Sequence, residues 1–195
     1  MKSREGTVVY ADELLDKITA MAEENLSETN PGLHEEERRR RAEIIAKAAL
    51  TFYVLKYNPQ ADFIYNPEES LAFEGETGPY LQYTYARIQS LLKRGEHRTG
   101  NPIETEYLPE EAMPLIRELQ YYPEVVAEAA KKQRPSSLAH YLISCAQRFN
   151  ELYQNVPFLT KQEKEKQALL ELSSLCASII KDGLQALGIE VLDEM

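Results

Sequence analysis

The stretch SSLAHYLISCAQRFNELYQN (residues 136–155) decides the fold. Leu138, Leu142, Cys145, Phe149 and Leu152 advance by 4, 3, 4 and 3 residues. That alternation holds apolar side chains on one side of a helix with about 3.6 residues per turn; a strand would alternate at every second position instead. Leu169, Leu172, Cys176, Ile179 and Leu187 supply a matching stripe on a helix expected over about residues 164–187. Toward the N-terminus, helical spacing predicts segments at about 10–26, with Asp12 as a cap, and at 35–57, where Ile44, Ile45, Ala48, Ala49, Phe52 and Leu55 recur. Pro79 opens a strong helix running to residue 94, with proline well placed in a first turn. Shorter helices follow at about 110–120 and 124–133. Residues 58–78 and 95–109 read as loops, the first with at most a short helix around 68–73. TVVY (7–10) is the only β-like run. The reading is an all-α helical bundle.

A chain of 195 residues fits one domain, or one domain with an appendage. No stretch approaches the ~20 apolar residues of a membrane-spanning helix, and MKSREGTVVYADELL lacks the apolar centre of a secretory signal. Cys145 and Cys176 both fall in helical apolar patterns, against a disulfide scaffold. The expectation is a reduced, soluble, cytoplasmic protein, and a monomer. A net charge of −10 argues against indiscriminate nucleic-acid binding, but leaves room for a local basic face. His34, His97 and His140 lie far apart with no neighbours at metal-ligand spacing. Acidic pairs such as Glu35 with Glu36, or Glu110 with Glu111, suit the first turns of helices. No catalytic residues and no metal site are expected.

The helix after Pro79 carries two stripes. At about 100° per residue, Leu81, Tyr85, Ile88 and Leu92 share one side, while Tyr80, Tyr83 and Arg87 share another roughly 130° away. The first stripe packs. The second either meets a neighbouring helix, with each tyrosine hydroxyl finding a partner, or forms a platform on which unpaired bases stack. Lys93, Arg94, His97 and Arg98 follow at the end of this helix, and Lys131, Lys132 and Arg134 form a second basic set. Both sets suit phosphate contacts or plain complementarity to helix C-termini. Arg38 to Arg41 cannot share one helix face and are expected to pair locally with the preceding glutamates.

Three further stretches complete the pattern: AEIIAKAALTFYVLKYNPQADFIYNPEESLAFEGETGPYLQYTYARIQSLLKR (42–94), EVVAEAAKKQRPSSLAHYLISCAQRFNELYQNVPFL (124–159) and IIKDGLQALGIEVLDEM (179–195). Together they resemble the anticodon-binding part of arginyl-tRNA synthetases, and GPYLQY followed by AR, combined with the LGIE ending, is the specific element. The opening MKSREGTVVYADELLDKI resembles the segment holding that family's variant K-M-S-K-S loop. The resemblance implies a bundle of the class I synthetase anticodon-binding (DALR) type. Residues 1–33 would be the end of the catalytic region with a connecting helix, and 34–195 the helical anticodon-binding domain.

The resemblance also implies roles. Lys2, Ser3 and Arg4 match the loop that helps hold ATP, although the usual second lysine is replaced by Ser3. Tyr80, Gln82, Tyr83, Arg87, Asn150, Tyr153 and Pro157 become candidates for the tRNA anticodon, with Lys93, Arg94, Lys131 and Lys132 as phosphate contacts. The implied partners are tRNA(Arg) and a catalytic domain in cis or in trans. The chain itself would need no cofactor, whereas the full-length enzyme would use ATP with Mg to join arginine to tRNA. The alternative is a helical protein-interaction module without RNA binding, docking a partner on the tyrosine stripe.

Overall fold

Apolar residues at helical spacing become helix almost throughout a computed structural model that describes residues 10–98 and 102–195. The order is α1 (Ala11–Thr29), α2 (Glu35–Leu55), the single turn α3 (Pro67–Ser70), α4 (Gly78–Arg94), α5 (Met113–Gln120), α6 (Tyr122–Lys132), α7 (Pro135–Asn155) and α8 (Glu163–Ala186). Short 3-10 turns at Thr105–Tyr107, Glu110–Ala112 and Phe158–Thr160 connect them. No strand occurs among the described residues, and none of their helices is long and apolar enough to cross a membrane. The bundle is all-α, as the spacing predicts. The β-like TVVY and the residues Lys2, Ser3 and Arg4 lie outside the described residues, apart from Tyr10.

Tyr10 occupies the cap position of α1 without a side-chain hydrogen bond, and Asp12 sits inside the first turn. This corrects the expected Asp12 cap: there Asp12 complements the helix dipole instead. Asn66 caps α3 properly, its side chain accepting from the backbone N–H groups of Glu68 and Glu69. The turn therefore starts one residue earlier than its sequence suggests.

Two apolar clusters share the interior. The larger joins the α4 stripe (Leu81, Tyr85, Ile88, Leu91) to α7 (Leu138, Leu142, Cys145, Phe149, Leu152) and α8 (Leu169, Leu172, Cys176, Ile180). The smaller packs Ile18, Ala22 and Leu26 of α1 on Ala42, Ile45 and Ala49 of α2, closed by Leu71 and Leu192. Helix α1 is thus bound to the body through a core of its own.

Two glycines make this layout possible. At Gly78 a Cβ would stand 2.3 Å from the backbone oxygen of Ala48, so α4 can start against α2 only with no side chain there. At Gly188 a φ of +75° turns the chain after α8, a left-handed conformation that favours glycine. The following segment doubles back over α4: Gln82 Nε2 donates to the Glu190 carbonyl at 2.7 Å, and Tyr85 Oη donates to Asp193 Oδ1 at 3.1 Å. Leu192 then enters the smaller core.

Two of the four arginines in the run, Arg40 and Arg41, pair with a preceding glutamate of the same helix as expected; the other two do not. Arg40 Nε and Arg41 Nε reach Glu37 at 2.9 and 2.8 Å, Arg39 pairs with Glu43, and Arg38 reaches Glu23 of α1. Hydrogen bonds from Arg40 and Arg41 hold the Glu37 carboxyl down at about 2. Because its folded value is depressed, Glu37 favours the folded state above the ordinary 4.5, and that contribution disappears as pH falls toward about 2. The acid-side decline of the thermal midpoint is therefore expected to be shallower in Glu37→Gln than in the parent over that window. A Gly78→Ala variant tests the helix contact: overpacking against backbone is expected to cost about 1–3 kcal/mol in urea unfolding.

Candidate nucleic-acid interface

The start of α4 is fixed by Thr77, whose Oγ1 accepts from the Tyr80 N–H at 3.1 Å and donates to the Ala72 carbonyl at 2.5 Å. From that start the i, i+4 spacing brings Tyr83 and Arg87 together on the side away from the core. The Arg87 guanidinium carbon lies 4.7 Å from the Tyr83 ring centroid and 5.6 Å from that of Tyr153 on α7. Cation–π attraction accounts for this seat. Its ends are pinned: Nη2 donates to Tyr83 Oη at 3.1 Å and Nη1 donates to Asn150 Oδ1 at 2.5 Å. Arg94 Nη2 reaches Tyr153 Oη at 3.4 Å. Beneath Tyr153, the rings of Phe149 and Phe158 stand 5.9 and 5.7 Å away and set its tilt.

These side chains border a groove of about 1110 Å³ whose lining includes Tyr83, Arg87, Lys93, Arg94, His97, Tyr153 and Lys181, together with Asp193 and Glu194. Tyr83 is 38% exposed. Lys93 is solvated, its Nζ 3.9 Å from a Glu194 carboxylate oxygen. Tyr85 lies below, in the core, and burial together with the Asp193 carboxylate pushes its phenol up to about 12. Its hydroxyl is a donor at neutral pH, anchoring the returning segment.

The groove gathers five of the sequence candidates: Tyr83, Arg87, Lys93, Arg94 and Tyr153. Others require correction. Gln82 is 0% exposed, so its side chain cannot face a ligand; it ties α4 to the returning segment, and its Oε1 has no hydrogen-bond partner among the described residues. The cause is angular, since residue 82 lies about 100° from both Leu81 and Tyr83, turned toward the chain that doubles back. Asn150 is buried, not presented: Nδ2 donates to Tyr80 Oη at 3.0 Å and to Thr84 Oγ1 at 3.1 Å, while Oδ1 holds Arg87. Tyr80 is half-buried against the main core. Pro157 is exposed beyond α7 but does not line the groove. Lys131 and Lys132 end α6 beside the start of α7, roughly 27 Å along that helix from Tyr153 at about 1.5 Å per residue, and Lys132 pairs with Glu128.

Phe73 was not singled out in the sequence. Its ring meets Tyr83 edge-on with centroids 6.0 Å apart, and it is 37% exposed. It extends the aromatic surface from Tyr83 onto the loop that precedes α4. Its sequence signal is weak, an isolated aromatic in a glycine- and glutamate-rich loop.

A helical scaffold that presents tyrosine rings and a fixed guanidinium beside a cationic lip has the equipment of a reader of unpaired bases. The comparisons give that class its family: the chain belongs to the DALR anticodon binding domain family, whose model matches residues 81–195. It is 40% identical to the arginine–tRNA ligase of Flavobacterium psychrophilum over all of this chain, and 34% identical to that of Oenococcus oeni. The chain spans about a third of the length of these curated relatives. Among solved structures, the Thermus thermophilus arginyl-tRNA synthetase superposes with a TM-score of 0.89 at 30% identity, covering 96% of this chain and 32% of that one. The Plasmodium falciparum arginyl-tRNA synthetase shares the fold with a TM-score of 0.82 at 21% identity, covering 96% of this chain and 34% of its own. The reading of the tyrosine stripe as a dock for protein alone finds no support in these matches.

Asn150 is the test of how the groove is held. Asn150→Ala leaves the Thr84 hydroxyl buried with one partner fewer and releases Arg87, and is expected to lower stability by about 1–3 kcal/mol in urea unfolding. A variant as stable as the parent would show that the amide does not organise the groove.

Proposed function

We propose that this chain binds the anticodon stem and loop of tRNA(Arg) as the C-terminal part of an arginine–tRNA ligase. Splayed loop bases stack on Tyr83, Arg87 and Tyr153, and Lys93 and Arg94 meet the adjoining phosphates. The observation that carries this reading is the assembly of those five side chains, from two helices, around one groove. The curated relatives that bear the name arginine–tRNA ligase support it. The catalytic part, in cis or in trans, would use ATP with Mg to join arginine to the tRNA, with Lys2, Ser3 and Arg4 contributing to the ATP loop. The setting we propose is a monomeric enzyme of the cytoplasm.

Physically, the division of labour follows from what the groove offers. Every base has a π-face, so stacking provides affinity, while the two lip cations add a salt-dependent part. Tyr83→Ala and Tyr153→Ala are each expected to weaken binding of a tRNA(Arg) anticodon stem-loop by about 1–3 kcal/mol. Lys93→Ala should instead reduce the salt slope by roughly one. Fluorescence anisotropy at several salt concentrations measures both. Tyrosine variants that bind as tightly as the parent would overturn the stacking assignment.

A further inference from the structure

Helix α8 borders two unlike grooves, which meet at Ser178. On one side Lys181 joins the cationic groove. On the other, Leu172, Leu175 and Ile179 step by 3 and 4 residues toward α5 and the start of α6, and floor a second cavity of about 500 Å³. Its walls are Ile103, Ile116, Leu119 and Tyr122. Leu175 is 41% exposed, and the neighbouring Met113 and Tyr121 also reach solvent. The stripe from Leu172 to Asp182 is about 15 Å long at about 1.5 Å per residue, enough for roughly three turns of a docked helix. A cavity of this size and apolarity lies within the range of recognition sites.

The charge around it is predominantly negative. Asp182 is the charged side chain among the lining residues. Its field reaches the wall, because Asp182, after burial itself, helps push the Tyr122 phenol above its usual range. The segment 102–124, which supplies much of the wall, carries Glu104, Glu106, Glu110, Glu111, Glu118 and Glu124 against Arg117; none of these glutamates lines the cavity itself, and Lys164 offsets Glu104 and Glu106. Arg117 sits about 100° round α5 from Ile116, and Lys181 is displaced similarly from Asp182 on α8. An apolar floor in an acidic surround repels a phosphate backbone and attracts a cationic amphipath.

We propose that this groove docks a basic amphipathic helix from a partner protein: apolar anchors at i, i+3 and i+7 would lie on Leu172, Leu175 and Ile179, with a lysine or arginine beside Asp182. The interaction is separate from RNA binding, which occupies the other flank of α8.

The test uses the full chain and a fluorescein-labelled helical peptide with leucines at i, i+3 and i+7 and lysines on both flanks. A second peptide has the same leucines with glutamate flanks. Saturable binding of the lysine peptide is expected, weakened about tenfold by Leu175→Lys, a loss typical of an interface anchor. Asp182→Asn should weaken it severalfold at low salt and little at high salt. Leu175 is partly exposed, so its variant is expected to fold, and circular dichroism checks this. The proposal is overturned if Leu175→Lys binds like the parent, if the glutamate peptide binds equally well, or if an RNA oligonucleotide displaces the lysine peptide. Sedimentation showing self-association that Leu175→Lys abolishes would make a second copy the occupant and likewise overturn it.

Discussion

One buried amide decides the geometry of the tyrosine–arginine surface. Asn150 sits on α7 opposite α4 and serves three partners there: Arg87, the hydroxyl of Tyr80 and that of Thr84. An apolar residue at this point would let the two helices pack, but Arg87 would then be a long, free side chain over its neighbours. With the amide in place, the guanidinium plane is held between two tyrosine rings before any ligand arrives. Rigid platforms bind with less loss of side-chain freedom than mobile ones. The arrangement gives local binding residues a fixed spacing set by the helix contact.

That contact depends in turn on the chain beyond α8. Gly188 reverses the chain, Gln82 and Tyr85 hold the returning segment by hydrogen bonds, and Leu192 closes the smaller core. Arg41 of α2 donates to the Glu194 carbonyl at 3.0 Å, so the segment also bridges α2 to α4. It thereby places Asp193 and Glu194 on the rim of the cationic groove. A structural closure and the local charge of a binding surface are two results of one run of residues.

Much of this was legible in the sequence. The 4, 3, 4, 3 stripe of α7 and the double stripe of α4 gave the elements and their buried sides, but left open whether Tyr80, Tyr83 and Arg87 pack or face outward. In the structure Tyr83 is exposed while Tyr80 and Arg87 are half-buried against α7. Helical periodicity reports which side of a helix is apolar, because burial repeats every turn. It does not report how wide the buried sector is. Gln82 and Asn150 lie at the margins of their stripes, and whether a polar residue there is covered depends on a segment more than 60 residues distant in each case, with separations of 108 to Glu190 and 63 to Arg87. The same applies to Lys131 and Lys132, basic in sequence yet a helix length away from Tyr153. Phe73 escaped for the opposite reason: a loop has no period, so nothing in the sequence says where its ring points.

The net charge of −10 also takes on a different meaning in three dimensions. Read as one number, it opposes a nucleic-acid partner. In the structure, however, Arg87, Lys93, Arg94 and Lys181 converge on one groove, where they outnumber Asp193 and Glu194, while the glutamates of 102–124 accompany a different face. At physiological salt, charges beyond about 8 Å are largely screened, so an approaching phosphate senses the nearby lip far more than the distant acids. Under the proposed function, the acidic remainder works against RNA lying elsewhere on the surface and favours the groove. An acidic protein can therefore be a selective RNA binder for the same reason that it is a poor general one.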